Sequence, residues 1–431
     1  MHAESKKEAQ RIGVSMILGL VLGLILYYLG ESERMNLKPA VSSFLGYIKP
    51  VGTIFIRSLK MVIVPLVLSS IFGAIVNLGT PENLGDMGKK ALGYYFTTTA
   101  IAVFFGLVFV NLISPGTGAD TSSAGLSGVS SELATRMQEQ KGLYDTVVGV
   151  LTDSIPSNPV YALVGEGGRA EVLQIIVFAI LFGIVALYNK KEAGPFVTLM
   201  ESVEHLSMQL THLIMKFAPI GIFVLMTSMI AKTGEGALKK LGWYMITVIL
   251  GLACHACFLM FIACWRMKKS PLFILKGISA ALFTAFSTSS SAATLPITMA
   301  AVKDNLGVQE ETAEFVLPLG ATVNMDGTAL YESVAAIFIA QAYGIDLSLS
   351  QQIIIFLTAS LAAIGAAAIP GAGMITMSIV LSAVGLPLDG VGLIVAVDRI
   401  LDMFRTTVNV FGDTVGTIFV DSLMKKNKNS V

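Results

Sequence analysis

Long apolar runs separated by short polar punctuation fill the chain. Uncharged or weakly charged stretches lie near 12–30, 42–79, 88–114, 140–190, 197–232, 238–265, 308–343 and 389–423. At about 1.5 Å of rise per residue, each is long enough for a helix to cross a hydrocarbon core of about 30 Å. The second, fourth and fifth exceed one perpendicular crossing, so they tilt or bend. Pro50, Pro65, Pro156 and Pro159 supply bends. Residues 115–135, rich in Gly, Ser and Thr, predict an exposed loop.

Two further stretches fit no simple crossing. Residues 272–304 carry "STSSSAATLP" at their middle, and residues 350–384 carry "AAIGAAAIPGAG". Each is an apolar arm, a run of small residues with a proline, and a second apolar arm. That pattern predicts a re-entrant hairpin, whose irregular tip is tolerated at membrane depth only inside protein or beside water. A pair of helices packed through small residues is the plainer alternative. The order then repeats. The first hairpin precedes a helix expected to break at Asn324-Met325-Asp326-Gly327, and the second precedes one expected to break at Asn409-Val410-Phe411-Gly412-Asp413. Broken helices at matching places in two repeats point to the binding site of a transporter.

Composition agrees. Of 431 residues, 54% are hydrophobic and 13% charged, and mean hydropathy is +0.75, where soluble domains carry about 25% charge. The expected class is an all-α polytopic membrane protein. Formal net charge is zero, which gives no footing for a nucleic-acid partner. Lys6, Lys7 and Arg11 precede the first run, which is too long for a signal peptide and predicts a retained helix. Basic residues at both ends, including "KKNKN", predict two cytoplasmic termini and an even number of crossings, for which eight spans fit. Cys254-His255-Ala256-Cys257 has the look of half a metal site, but no second Cys/His pair exists, so these read as residues inside an apolar helix.

The chemistry concentrates in "LDMFRTTVNVFGD". Asp398, Asp402, Arg405, Asn409 and Asp413 are spaced four, three, four and four apart. On a helix they fall within an arc of about 80°. A structural ion-pair ladder is the bland explanation. Yet a charge at the bilayer centre costs about 2.5–3.5 kcal/mol, and five polar groups exceed what pairing needs. Arg405 offers a planar fork that matches a carboxylate. Asp402 offers an acceptor for an ammonium, and Asn409 can donate to a second carboxylate. Helix N-termini at the hairpin tips favour anions. One amine and two carboxylates satisfy this set, as in aspartate or glutamate. Asp326 and Asp413, beside freed carbonyls, fit a hard cation, and the sparse acidity favours a monovalent one such as sodium.

At these residues the sequence resembles the dicarboxylate/amino acid:cation symporter family, which includes the excitatory amino acid transporters and an archaeal sodium–aspartate transporter. The resemblance covers essentially the whole chain and is strongest in "TSSSAATLP", "GATVNMDGTALYE", "IPGAG" and "LDMFRTTVNVFGD". It implies a homotrimer in the plasma membrane. Residues 12–80 and 130–232 would form a scaffold of helices one, two, four and five. Residues 88–114 and 238–423 would form a transport domain moving as an elevator. It also implies inverted repeats.

For substrate, the resemblance implies Arg405 as ligand of the side-chain carboxylate, Asp402 as ligand of the amine, and Thr406 and Asn409 beside them. Ser289, Ser290 and Ser291 would meet the α-carboxylate, and Met325, Thr328, Ile369 and Gly373 would close the site. Asp398, on the same polar stripe, and the neighbouring Arg399 are expected to orient these ligands. For sodium it implies three sets: Gly320, Asn324, Asn409 and Asp413; Thr322 with carbonyls of Ala363, Ile364 and Ala366; and Tyr95, Thr98, Thr99, Asn324 and Asp326. Proton-coupled relatives read "NLDGS" and Gly-Asn where this chain has "NMDGT" and Gly412-Asp413, which favours sodium. Neutral-amino-acid relatives lack an arginine at position 405.

Ser289 replaces an arginine of the archaeal transporter, and Arg399 is an addition on the eighth helix. A proton-coupled or C4-dicarboxylate transporter of the same family, and an anion-conducting channel, are the alternatives. A serine hydrolase is disfavoured because no histidine lies in either repeat, and no phosphate-binding GxxxxGK[ST] loop supports a pump. Glu332, one turn past Thr328 among small neighbours, is expected to be poorly solvated and able to hold a proton in one state and a charge in another. With "LYE" shared with the potassium-countertransporting members, it is a candidate for pH-sensitive and potassium-linked coupling.

Overall fold

A computed structural model describes residues 2–31, 37–76, 86–117, 152, 155–164, 172–364, 372–387 and 390–428. These are helical with connecting turns, and no strand occurs among them. The helices are α1 (His2–Glu31), α2 (Lys38–Val76), α3 (Asp86–Ile113), α4 (Pro159–Val164), α5 (Val172–Tyr188), α6 (Lys190–Lys216), α7 (Ala218–Thr233) and α8 (Glu235–Met267). They continue with α9 (Pro271–Thr288), α10 (Ser291–Ala300), α11 (Glu310–Val323), α12 (Asp326–Ala342), α13 (Leu349–Ile364), α14 (Ala372–Ala383) and α15 (Val391–Lys428). Among the described residues, three stretches are long and apolar enough to cross a membrane: Asp86–Ile113, Lys239–Met267 and Pro271–Thr288. The loop expected at 115–135 lies largely outside the described residues, as does most of the apolar run near 140–171.

Local chemistry explains the breaks. The apolar run 197–232 divides at Phe217 because Pro219 stands in the first turn of α7 and its ring allows no preceding helical hydrogen bond. Ser270 caps α9 by accepting from the Phe273 amide, with Pro271 next to it. Ser289 ends α9 in the left-handed region (φ 51°), and Ser290 at once caps α10 by accepting from Ala293 N at 3.2 Å. Two consecutive serines thus join α9 and α10 in a sharp turn, which explains why "STSSS" sits there. The arms α13 and α14 also pack together, while the 365–371 segment between them lies outside the described residues.

Packing separates the helices into two sets. α1, α2, α5, α6 and α7 pack chiefly on one another, and α3 with α8–α15 do the same, with thin contacts between the sets. In the first set α1 lies along α7. A Cβ on Gly19 would come within 2.8 Å of the Phe223 carbonyl oxygen, and one on Gly23 within 2.7 Å of Ile230 Cβ. Glycines four apart let the two backbones approach, the usual device for helices in lipid. In the second set α12 is innermost. Asp326 through Ala340 are all buried, beneath α3, α8, α13, α14 and α15. Any polar group on α12 therefore depends on a protein partner or a ligand.

Candidate functional site

One break and one unbroken helix build the site. The helical path through 310–342 is interrupted at Asn324 and Met325, whose ψ angles of 87° and 46° are not helical, as expected from "NMDG". The second expected break is absent. α15 runs continuously from Val391 to Lys428 through Asn409–Asp413. Gly412 serves a different purpose: a Cβ there would meet Asn324 Nδ2 at 2.6 Å. The glycine admits the broken segment against α15 and does not unwind it.

The polar stripe of α15 forms as expected. Asp398, Asp402, Arg405, Asn409 and Asp413 are all buried. Arg405 is 1% exposed. Its Nη1 donates to Asp398 Oδ1 at 3.1 Å and its Nη2 to Asp402 Oδ1 at 2.7 Å. Its guanidinium lies over the Tyr331 ring, 3.9 Å from the centroid. Arg399 Nη1 stands 3.7 Å from Asp402 Oδ2. Two arginines and two aspartates thus make an array without net charge, the condition under which such groups tolerate burial. Arg405 Nε has no hydrogen-bond partner among the described residues. Gly373, at the start of α14, lies against this guanidinium, since a Cβ there would meet Nη1 at 2.5 Å.

Further along, the stripe grips the break. Asn409 Oδ1 accepts from Gly327 N at 2.8 Å, and Asn409 Nδ2 points to Thr328 Oγ1 at 3.3 Å and to Met325 Sδ at 3.2 Å. Asn324 Nδ2 donates to Asp413 Oδ1 at 2.9 Å and more weakly to the Asn409 carbonyl at 3.3 Å. Gly320 faces this carboxylate: a Cβ there would lie 2.7 Å from Asp413 Oδ1 and 2.5 Å from the Tyr95 hydroxyl. Tyr95 itself donates to the Val316 carbonyl at 3.0 Å. Gly320, Asn324, Asn409 and Asp413 therefore converge, with Tyr95 at their edge.

A second buried carboxylate, Asp326, gathers donors from two other helices. Thr99 Oγ1 donates to its Oδ1 at 2.7 Å, with Thr98 Oγ1 at 3.4 Å. On Oδ2 it accepts from His255 Nε2 of α8 at 2.8 Å. No histidine was expected here. His255 sits in an apolar run without polar neighbours at helical spacing, so only the fold reveals its partner. Among the described residues no Lys or Arg pairs with Asp326 or Asp413. Nor do these residues contain a cluster of three His, Cys, Asp or Glu that could hold a metal ion. Carboxylate, hydroxyl, amide and carbonyl oxygens are what remain, a donor set suited to a hard cation.

Other expected residues are scattered. Ser289, Ser290 and Ser291 are buried at the α9–α10 turn, which is tied to α15 where Phe286 meets Phe404 edge to face at 5.2 Å. Thr406 is buried on α15. Thr322 is not brought to the site: it is exposed, and its hydroxyl donates back to Leu319 O at 3.0 Å on its own helix. Of the residues expected beside it, Ala363 is buried and Ile364 closes α13, while Ala366 lies outside the described residues, as does the substrate candidate Ile369. Glu332 is fully buried, as its small neighbours imply, and accepts from the Thr376 hydroxyl on α14 through Oε1. Its Oε2 has no hydrogen-bond partner among the described residues.

Residues 9–423 match the sodium:dicarboxylate symporter family. The chain belongs to that family. It is 37% identical to excitatory amino acid transporter 3 of Mus musculus, an alignment covering 96% of this chain and 84% of the relative. An excitatory amino acid transporter of Caenorhabditis elegans is 38% identical, with 93% and 84% covered. Excitatory amino acid transporter 1 of Ambystoma tigrinum is 35% identical, with 96% and 83% covered. Membership carries membrane embedding with it, in keeping with the long apolar helices.

Proposed function

We propose that the chain is a secondary active symporter that takes up L-aspartate or L-glutamate, driven by the sodium gradient. The observation that carries this is the charge arrangement of α15 and α12. A buried Arg405 is matched by its own aspartates, while buried Asp326 and Asp413 have no Lys or Arg partner among the described residues. A buried carboxylate without a cation is costly, and a transported cation relieves that cost. An incoming carboxylate that takes over the Arg405 fork frees Asp402, which then accepts from the substrate ammonium. Cation binding and substrate binding thereby satisfy complementary halves of one polar stripe, joined through Asn409.

Arg405, Asp402, Asn409, Thr406, Met325 and Thr328 hold the substrate in this proposal, with Ser289–Ser291 and Gly373 closing over it and Asp398 and Arg399 orienting Arg405 and Asp402. Sodium is cargo. One ion takes Gly320, Asn324, Asn409 and Asp413, and another takes Tyr95, Thr98, Thr99, Asn324 and Asp326. The α9–α10 and α13–α14 pairs act as re-entrant hairpins, and α3 with α8–α15 move as the transport domain of an elevator. The separation of packing into two sets supports that division. The assembly is a homotrimer in the plasma membrane with both termini cytoplasmic and eight crossings.

The test is uptake into sealed vesicles containing the purified protein, with one ion gradient imposed at a time. An inward sodium gradient is expected to concentrate labelled L-aspartate. Equal accumulation from a proton gradient without sodium would overturn the ion assignment, and failure to exceed equilibrium under any gradient would indicate a channel. A proton link in addition to sodium is favoured by one observation: Glu332, buried on α12 with one oxygen unpartnered among the described residues.

A further inference from the structure

His255 lies near the middle of α8, 0% exposed. Its ring has Phe105 and Phe258 as aromatic neighbours, with centroids 6.3 and 6.1 Å away. Nδ1 has no hydrogen-bond partner among the described residues. Among the described residues its one polar bond is from Nε2 to Asp326 Oδ2, at 2.8 Å across a sequence separation of 71. The carboxylate is thereby held at both ends. Oδ2 is fixed by α8, and Oδ1 is turned to the Thr98 and Thr99 hydroxyls of α3. A carboxylate on the first turn of α12 can otherwise rotate about its terminal torsion, which is broad and roughly two-fold. Packing alone gives no reason for an imidazole between two phenyl rings, where a leucine would serve.

We infer that His255 is a positioning residue for sodium binding: by occupying Oδ2 it holds Oδ1 towards the Thr98–Thr99 hydroxyls, so that the oxygen offered to the ion is preset. This rests on Asp326 being a sodium ligand, as proposed above. The role parallels the outer partners of metal ligands in general, whose loss costs about 10- to 100-fold in metal affinity. It also assigns α8 a part in ion binding, since neither substrate nor sodium need touch that helix.

The test measures the sodium dependence of L-aspartate binding to the purified full-length protein at equilibrium, with choline balancing ionic strength. His255→Leu fills the aromatic pocket and removes the donor. It is expected to raise half-saturating sodium about 10- to 100-fold, while aspartate affinity at saturating sodium stays near wild type. His255→Gln carries an amide N–H at a reach similar to Nε2 and is expected to remain within about threefold of wild type. His255→Asn carries the same amide one carbon short and is expected to behave like the leucine variant. If His255→Leu does not fold, the Gln–Asn contrast decides, because the two differ only in reach. Equal sodium dependence in Gln and Asn, or wild-type dependence in Leu, overturns the inference. Asp326→Asn separates the two levels. If that change leaves sodium dependence intact, the ion site itself is misassigned. If it shifts sodium dependence and His255→Asn does not, only the positioning role fails.

Discussion

In the proposed function, substrate charge depends on Arg405. It is buried with two carboxylates on its fork and an aromatic ring beneath. Two charge-assisted hydrogen bonds to a substrate carboxylate are worth about 1.5–3 kcal/mol each. Arg405→Cys is therefore expected to weaken L-aspartate binding by at least about 100-fold, measured as equilibrium binding at saturating sodium, while serine or alanine begins to compete. Aspartate binding at wild-type strength in that variant would move the contact elsewhere, with Arg399 the first suspect. In the same proposal Asp413 is a sodium ligand. Asp413→Asn keeps a polar group beside Asn324 but removes the formal charge, so half-saturating sodium should rise at least about tenfold, or about 1.4 kcal/mol. Gly320→Ala makes a subtler test of the same place. Its methyl would meet the Tyr95 hydroxyl and Asp413 Oδ1 at 2.5 and 2.7 Å, and both are side-chain ends that can yield. The fold should persist in a thermal melt while sodium dependence weakens. An unaltered sodium titration would place the ion away from Gly320.

At the scale of elements, the polar stripe was legible because a 3.6-residue period needs no knowledge of neighbours. The break at Asn324–Met325 was legible for the same reason, since Asn, Asp and Gly together favour local hydrogen bonding over continued helix. The second break was read from a similar cluster and does not occur. A glycine in sequence can mark an unwound turn or a close approach, and only the position of Asn324 against Gly412 tells them apart. The partner of His255 was invisible for a related reason: it lies on another helix, and nothing in α8 itself announces it. The glutamate on α12 shows the opposite case. Small neighbours at 333–336 foretold its burial, though not the Thr376 hydroxyl that meets it from α14. Because α14 supplies that hydroxyl, a change of charge at Glu332 is coupled to how α14 packs. Glu332→Gln is expected to flatten the pH profile of net uptake while leaving substrate exchange intact. A wild-type pH profile in the glutamine variant would show that any coupled proton travels by another group.

For the whole molecule, the decisive feature is where packing is dense and where it is thin. All the site residues described above lie on α3 and α8–α15 or in the turns joining α9 to α10 and α11 to α12, and none on α1, α2, α5, α6 or α7. A pocket carried entirely by one set of helices can cross a bilayer without being dismantled, provided the surface between the sets can slide. The contacts that join the sets run between α7 and both α8 and α15, between α2 and α14, between α5 and both α13 and α14, and between α1 and both α9 and α15. These must change if the proposed elevator operates, whereas the α1–α7 contact through Gly19 and Gly23 must not. Two disulfides therefore make opposite demands. In a background with Cys254, Cys257 and Cys264 replaced, a cysteine pair across the α2–α14 contact should stop uptake when oxidised and release it with reductant, while aspartate binding in detergent persists. A pair across α1 and α7 should leave uptake unchanged in either redox state. Uptake at full rate with α2 and α14 covalently joined would rule out relative movement at that surface, and the proposed alternating access would then have to come from the α9–α10 and α13–α14 pairs alone.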